Sequence, residues 1–111
     1  MSWTRAQLEI SVEDLDLYRR EGAPHLVVDV REGWERQICA LSESLHVPMG
    51  SLAEALTELP RDRPLTLLCH HGVRSLNAAV WLRGHGFEQA CSVKGGIDAF
   101  AARIEPTMAR Y

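Results

Sequence analysis

The sequence predicts an α/β domain: a central, mostly parallel sheet of about five strands with helices on both faces. Three observations predict it. Short apolar runs without polar alternation suit strands covered on both sides. Amphipathic segments between them carry helix start and stop signals. The connections are short enough that strands and helices must follow one another directly, the pattern of right-handed crossovers.

Leu8-Glu9-Ile10 reads as a short edge strand, and Ser11-Val12-Glu13-Asp14 as a capping box with Ser11 as N-cap. A helix follows from Val12 to about Glu21, burying Val12, Leu15 and Tyr18, with Gly22 and Pro24 as its stop. His25 to Val30 is a β-branched run, a central strand that ends on the charges of Asp29, Arg31 and Glu32. Glu32 to Ile38 is expected as a short helix with Trp34 and Ile38 turned inward. Cys39 to Ser44 is loop and Leu45 to Pro48 a brief strand. Ser51-Leu52-Ala53-Glu54 reads as a second capping box, opening a helix that buries Leu52, Ala55, Leu56 and Leu59 and ends at Pro60. Leu65 to Leu68 is a buried strand, and Leu76 to Arg83 a helix stopped by Gly84. Ala90 to Val93 is expected as an edge strand, Gly95-Gly96 as a tight turn and Ile97 to Ile104 as the last helix. Residues 105–111 show no periodicity; the Arg110-Tyr111 end either folds over the site or frays, and chain ends usually fray.

At 111 residues the chain is expected to be one domain, its core about 8–104 and its tail 105–111, able to fold without disulfides or metal. A formal charge of −3 with both signs interspersed offers no basic face for nucleic acid or an anionic membrane. Met1-Ser2-Trp3-Thr4-Arg5 is polar and no apolar run reaches the length of a membrane span. Cys39, Cys69 and Cys91 are an odd number, far apart, without a C-x-x-C pair, which fits reduced thiols in a cytoplasm.

The chemistry concentrates in Cys69-His70-His71-Gly72-Val73-Arg74-Ser75, between the Leu65–Leu68 strand and the next helix. The unpaired N–H groups of a helix's first turn and its positive dipole end favour a negative sulfur there. Gly72 frees the backbone to curl successive N–H groups around one anion. A free thiol near pKa 8.5 is a few per cent ionised at neutral pH, and lowering it by ~1.5 units makes about half of it thiolate. In an open α/β sheet, sites gather at the carboxyl ends of strands, so Asp29, Arg31, Cys69 and Arg74 should share one rim. Arg74 is expected to attract anions or brace the loop. His70 and His71 invite a zinc reading, but adjacent histidines diverge along a backbone and no spaced further ligands appear, so no metal is expected. They instead add positive charge when protonated or shape the mouth. Cys39 and Cys91 read as small buried residues rather than resolving thiols, and Trp34 and Trp81 as packing.

Val28-Asp29-Val30-Arg31-Glu32 with Trp34, His46-Val47-Pro48, the loop from Cys69 to Ser75, and Lys94-Gly95-Gly96-Ile97 together resemble the single-domain rhodanese (thiosulfate sulfurtransferase) family, in the family's order and from about Leu8 to Phe100. The resemblance implies the rhodanese α/β fold and a sulfur relay through a persulfide on Cys69. No cofactor is implied. Its partners would be a small sulfur donor such as thiosulfate and a thiol, protein or cyanide acceptor. It also favours Asp29 and Arg31 bracing the loop rather than touching substrate. One stretch departs: Cys39-Ala40-Leu41-Ser42-Glu43-Ser44 stands where the family usually has a glycine-containing turn.

Three other readings compete. A cysteine phosphatase places five residues between Cys and Arg, whereas four separate Cys69 from Arg74, and a shorter loop encloses a smaller anion. A non-catalytic interaction module typically lacks the cysteine retained here. A persulfide carrier serving one partner enzyme would use the same loop.

Overall fold

The computed structural model describes residues 7–111, so the polar stretch Met1–Arg5 lies outside the described residues. Along the chain run β1 (Glu9–Ile10), α1 (Val12–Glu21), β2 (Leu26–Asp29), α2 (Gly33–Ile38), β3 (Ser44–His46), α3 (Leu52–Ala55), β4 (Leu65–Leu68), α4 (Val73–Gly84), β5 (Ala90–Val93) and α5 (Gly96–Arg103). The five strands form one sheet in the order β1-β5-β4-β2-β3, and every pairing is parallel. This is the predicted fold class.

The strands alternate their side chains between two cores. Val28, Val30, Leu65 and Leu67 pack with Leu52 of α3 and Ala78, Ala79 and Leu82 of α4. On the other face Val27, Leu68, Cys91 and Val93 meet Leu15 and Tyr18 of α1 and Ile97 and Phe100 of α5. Because both faces are covered, a strand needs apolar residues at successive positions, which explains the runs without alternation. The Ser11 hydroxyl accepts the Asp14 N–H at 3.0 Å and caps α1, while Gly22, at φ 67°, closes it in the left-handed region.

Four local expectations are corrected. β5 is interior, hydrogen-bonded between β1 and β4, with all four residues buried. After α4 the chain crosses to the side of β4 away from β2, and the first strand of the sequence covers its outer edge. Trp34 is 61% exposed and Ile38 37%, and α2 instead buries Glu35. Ser51 makes no side-chain cap; the chain enters α3 through a 3-10 turn at Met49–Ser51, and the α-helix stops at Ala55, well before Pro60. The departing turn between α2 and β3 holds Glu43 at φ 61°, the only positive-φ residue other than glycine among those described. A side chain there costs about 1 kcal/mol that a glycine would not.

No helix of the described residues is long and apolar enough to cross a membrane.

Candidate active site

β2 and β4 are adjacent and parallel, so their carboxyl ends bring Asp29 and Cys69 to one rim. Cys69 follows the last residue of β4, and α4 begins at Val73 rather than Leu76, so Arg74 and Ser75 belong to its first turn. The Cys69 side chain is almost wholly buried. Its Sγ accepts N–H groups from Gly72 at 3.0 Å and Ser75 at 3.3 Å, and lies 3.2 Å from the Ser75 hydroxyl. That hydroxyl is 2.7 Å from the Ser92 Oγ on β5. The loop thus turns two backbone donors and one hydroxyl onto a single sulfur.

Two glycines make this path possible. Gly72 has φ 104°, and a Cβ on it would stand 3.0 Å from the Gly95 nitrogen. Gly96 has φ 62°, and a Cβ there would overlap the carbonyl oxygens of Cys69 and His70. The close approach lets α5 hold the loop from behind: Ile97 N–H donates to the Cys69 carbonyl at 2.9 Å and Asp98 N–H to the His70 carbonyl at 3.0 Å. The Gly95-Gly96 pair expected to form a turn therefore also shapes the site.

Beside the loop lies a buried charge network. Asp29 and Arg31 are both fully buried and pair at 2.8 Å, and Asp29 also takes Arg36 at 2.9 Å. Arg31 further donates to the carbonyls of Glu35 and Cys39. Burial opposes its charge, but the hydrogen bonds to Asp29 and Tyr111 outweigh that and raise its pKa. Arg74 grips both carboxylate oxygens of Glu35 at 2.7 Å, a bidentate pair that ties α4 to α2. Glu35 also accepts the Glu32 N–H at 2.8 Å, reaching back to the start of its own helix. Arg74 is thus a brace rather than an exposed arginine. Sequence reasoning missed Glu35; its one signal was an acid three residues after Glu32 at a helix start.

The tail does not fray. Tyr111 folds onto the network: its hydroxyl donates to Glu35 at 2.8 Å and accepts from Arg31 at 3.0 Å, and its ring stacks on His70 at 3.8 Å between centroids. Burial, with Glu35 adding to it and Arg31 opposing, pushes its phenol up to about 12.

The hydrogen bonds from Arg74 outweigh burial and hold the Glu35 carboxyl at about 2, down from 4.5. Its contribution to stability is present above the unfolded carboxylate value and is lost as pH falls from about 4.5 towards 2. Discounted for the solvent-facing side of Arg74, that contribution is about 2 kcal/mol at neutral pH. Denaturant unfolding should therefore show wild type more stable than Glu35→Gln at pH 7, with the gap narrowing at pH 3; an unchanged gap would contradict the pairing.

The other thiols are placed differently. Burial pushes Cys91 up to about 12, which removes it as a nucleophile. Cys39 is half-buried, with its carbonyl bound to Arg31. A groove of about 330 Å³ between α3 and α4, lined by Met49, Leu52, Asn77 and Trp81 among others, does not reach the cysteine loop. The candidate site is the anion loop, not a cavity.

Comparison with known proteins gives the family. Residues 11–103 match the model of the rhodanese-like domain family. A thiosulfate sulfurtransferase GlpE from Pseudomonas savastanoi pv. phaseolicola is 34% identical over 93 residues, covering 84% of this chain and 86% of that protein. Among solved structures, a rhodanese-related protein from Thermoplasma volcanium superposes with a TM-score of 0.80 at 30% identity, over 88% of this chain and 94% of its own. The human single-domain sulfurtransferase TSTD1 reaches 0.81 at 20% identity over 88% and 98%, a likeness of fold. The chain belongs to the rhodanese-like domain family and is a rhodanese-type enzyme.

Proposed function

We propose that this chain, acting as a single domain, moves a sulfane sulfur from thiosulfate or a persulfide donor, through a persulfide on Cys69, to a thiol, protein or cyanide acceptor. The Cys69 thiolate attacks the outer sulfur of thiosulfate; the Sγ–S bond forms, the S–S bond of the donor breaks, and sulfite leaves with the electron pair. An acceptor then attacks the outer sulfur, the Sγ–S bond breaks, and the thiolate returns. With cyanide the product is thiocyanate.

The observation that carries this reading is the convergence of the Gly72 and Ser75 N–H groups on Sγ at the start of α4. Donors fixed in advance around a sulfur stabilise negative charge without reorganising, the physics of an oxyanion hole. The four-residue spacing to Arg74 and the naming of a relative as a thiosulfate sulfurtransferase point the same way. Arg74 acts through its charge and its grip on Glu35, which fixes the first turn of α4.

Intact mass of the reduced protein tests the proposal. Thiosulfate should add one sulfur atom, located by peptide mapping to the segment holding Cys69, and cyanide should remove it as thiocyanate. An unmodified protein after both thiosulfate and a persulfide donor would refute the relay.

A further inference from the structure

Adjacent histidines were expected to point apart, with no further ligand near them. The structure corrects both points. The rings of His70 and His71 lie face to face, centroids 3.8 Å apart and 30° between planes. Asp98, in the first turn of α5, supplies a third donor: one donor atom from each of His70, His71 and Asp98 lies within 4.8 Å of the others.

The grouping is held by the backbone. The hydrogen bonds from Ile97 and Asp98 to the carbonyls of Cys69 and His70 fix α5 against the loop. The Asp98 Oδ1 is taken by Arg110 at 3.1 Å, while Oδ2 stands 3.8 Å from His71 Nε2, too far for a hydrogen bond. Within His70, Nε2 is buried with no hydrogen-bond partner. A buried ring nitrogen without a partner costs free energy that a bound ligand would recover.

We propose that His70, His71 and Asp98 form a binding site for a divalent transition metal of the zinc class, beside the Cys69 loop. Two imidazoles and one carboxylate suit zinc, and three protein donors leave a fourth, open position. Ligand atoms on a tetrahedral zinc lie about 3.3 Å apart, so the donors must close in. His71 can supply that movement, because its side chain is 63% exposed. His70 and His71 follow Cys69 directly in the loop, so the site adjoins the sulfur-bearing residue in the chain. Metal binding itself does not depend on the sulfur-transfer reading.

Isothermal titration of zinc chloride into the Cys69→Ser protein separates the two, since that variant has no loop thiol and no sulfur chemistry. We expect one zinc per chain, with affinity reduced at least tenfold by His71→Ala and by Asp98→Asn in the same background. Affinity should also be weaker in acid than at neutral pH, because protons compete with the metal for the ring nitrogens. His71 is exposed and Asp98 partly so, and matching unfolding curves without metal check that each variant is folded. No saturable binding, or a tenfold loss in fewer than both variants, overturns the proposal.

Discussion

Cys69→Ser is expected to lower thiocyanate formation from thiosulfate and cyanide by at least about a thousandfold, with the protein still folded. The serine hydroxyl is a weak nucleophile at neutral pH and forms no bond to sulfur equivalent to the persulfide, so the relay loses its first step. The groups that surround Sγ can bond a serine oxygen instead: the Gly72 and Ser75 N–H groups donate to it, and the Ser75 hydroxyl, which accepts from the thiol, can accept from the new hydroxyl. Unfolding free energy should therefore stay within about 1 kcal/mol of wild type. Initial rates and a denaturant curve on the same sample check both halves. Turnover that survives would place the chemistry on Cys39, the one cysteine of the three that is only half-buried.

Asp29→Ala is expected to cost the most stability, about 3–5 kcal/mol, because it leaves the fully buried Arg31 guanidinium without its counter-charge. Arg31 would keep its bonds to carbonyl oxygens and to the Tyr111 hydroxyl, which satisfy N–H groups but do not neutralise charge. The midpoint of thermal unfolding should fall by about 10 °C or more. Adding Arg31→Met to Asp29→Ala should recover much of the loss, since an apolar side chain carries no desolvation penalty. A single-variant cost below about 1 kcal/mol would mean that the pair is not buried in solution.

Where local chemistry decided the structure, it was legible in the chain. Ser11 and Gly22 bound α1 because a hydroxyl and a glycine act on their own neighbours. The successive apolar residues of β2 and β4 reported burial on both faces. The cysteine loop was legible because Gly72 and the helix start are adjacent to Cys69.

What failed depended on partners distant in sequence. Trp34 and Ile38 have the apolar character of an inward stripe, but Arg74 and Tyr111 together make burial of Glu35 the better solution. Ala90 to Val93 is interior because β1, distant in sequence, pairs along its outer side, a partner that nothing within the four residues announces. Tyr111 had no periodicity to announce it; its place is set by His70, Glu35 and Arg31. The turn at His70-His71 misled for the same reason, since the third donor comes from α5.

The tie between α5 and the cysteine loop has a consequence for synthesis. Cys69 leaves the ribosome before Gly95, Gly96 and Ile97 exist to shape and anchor its loop. β4 is central, yet one of its two neighbours, β5, is made after it. Domains of this kind form through contacts between distant residues, which close slowly. Until the final helix docks, the loop of a nascent chain therefore lacks the two hydrogen bonds from Ile97 and Asp98 that hold the carbonyls of Cys69 and His70, and the path of the loop around its thiol is completed only late in folding.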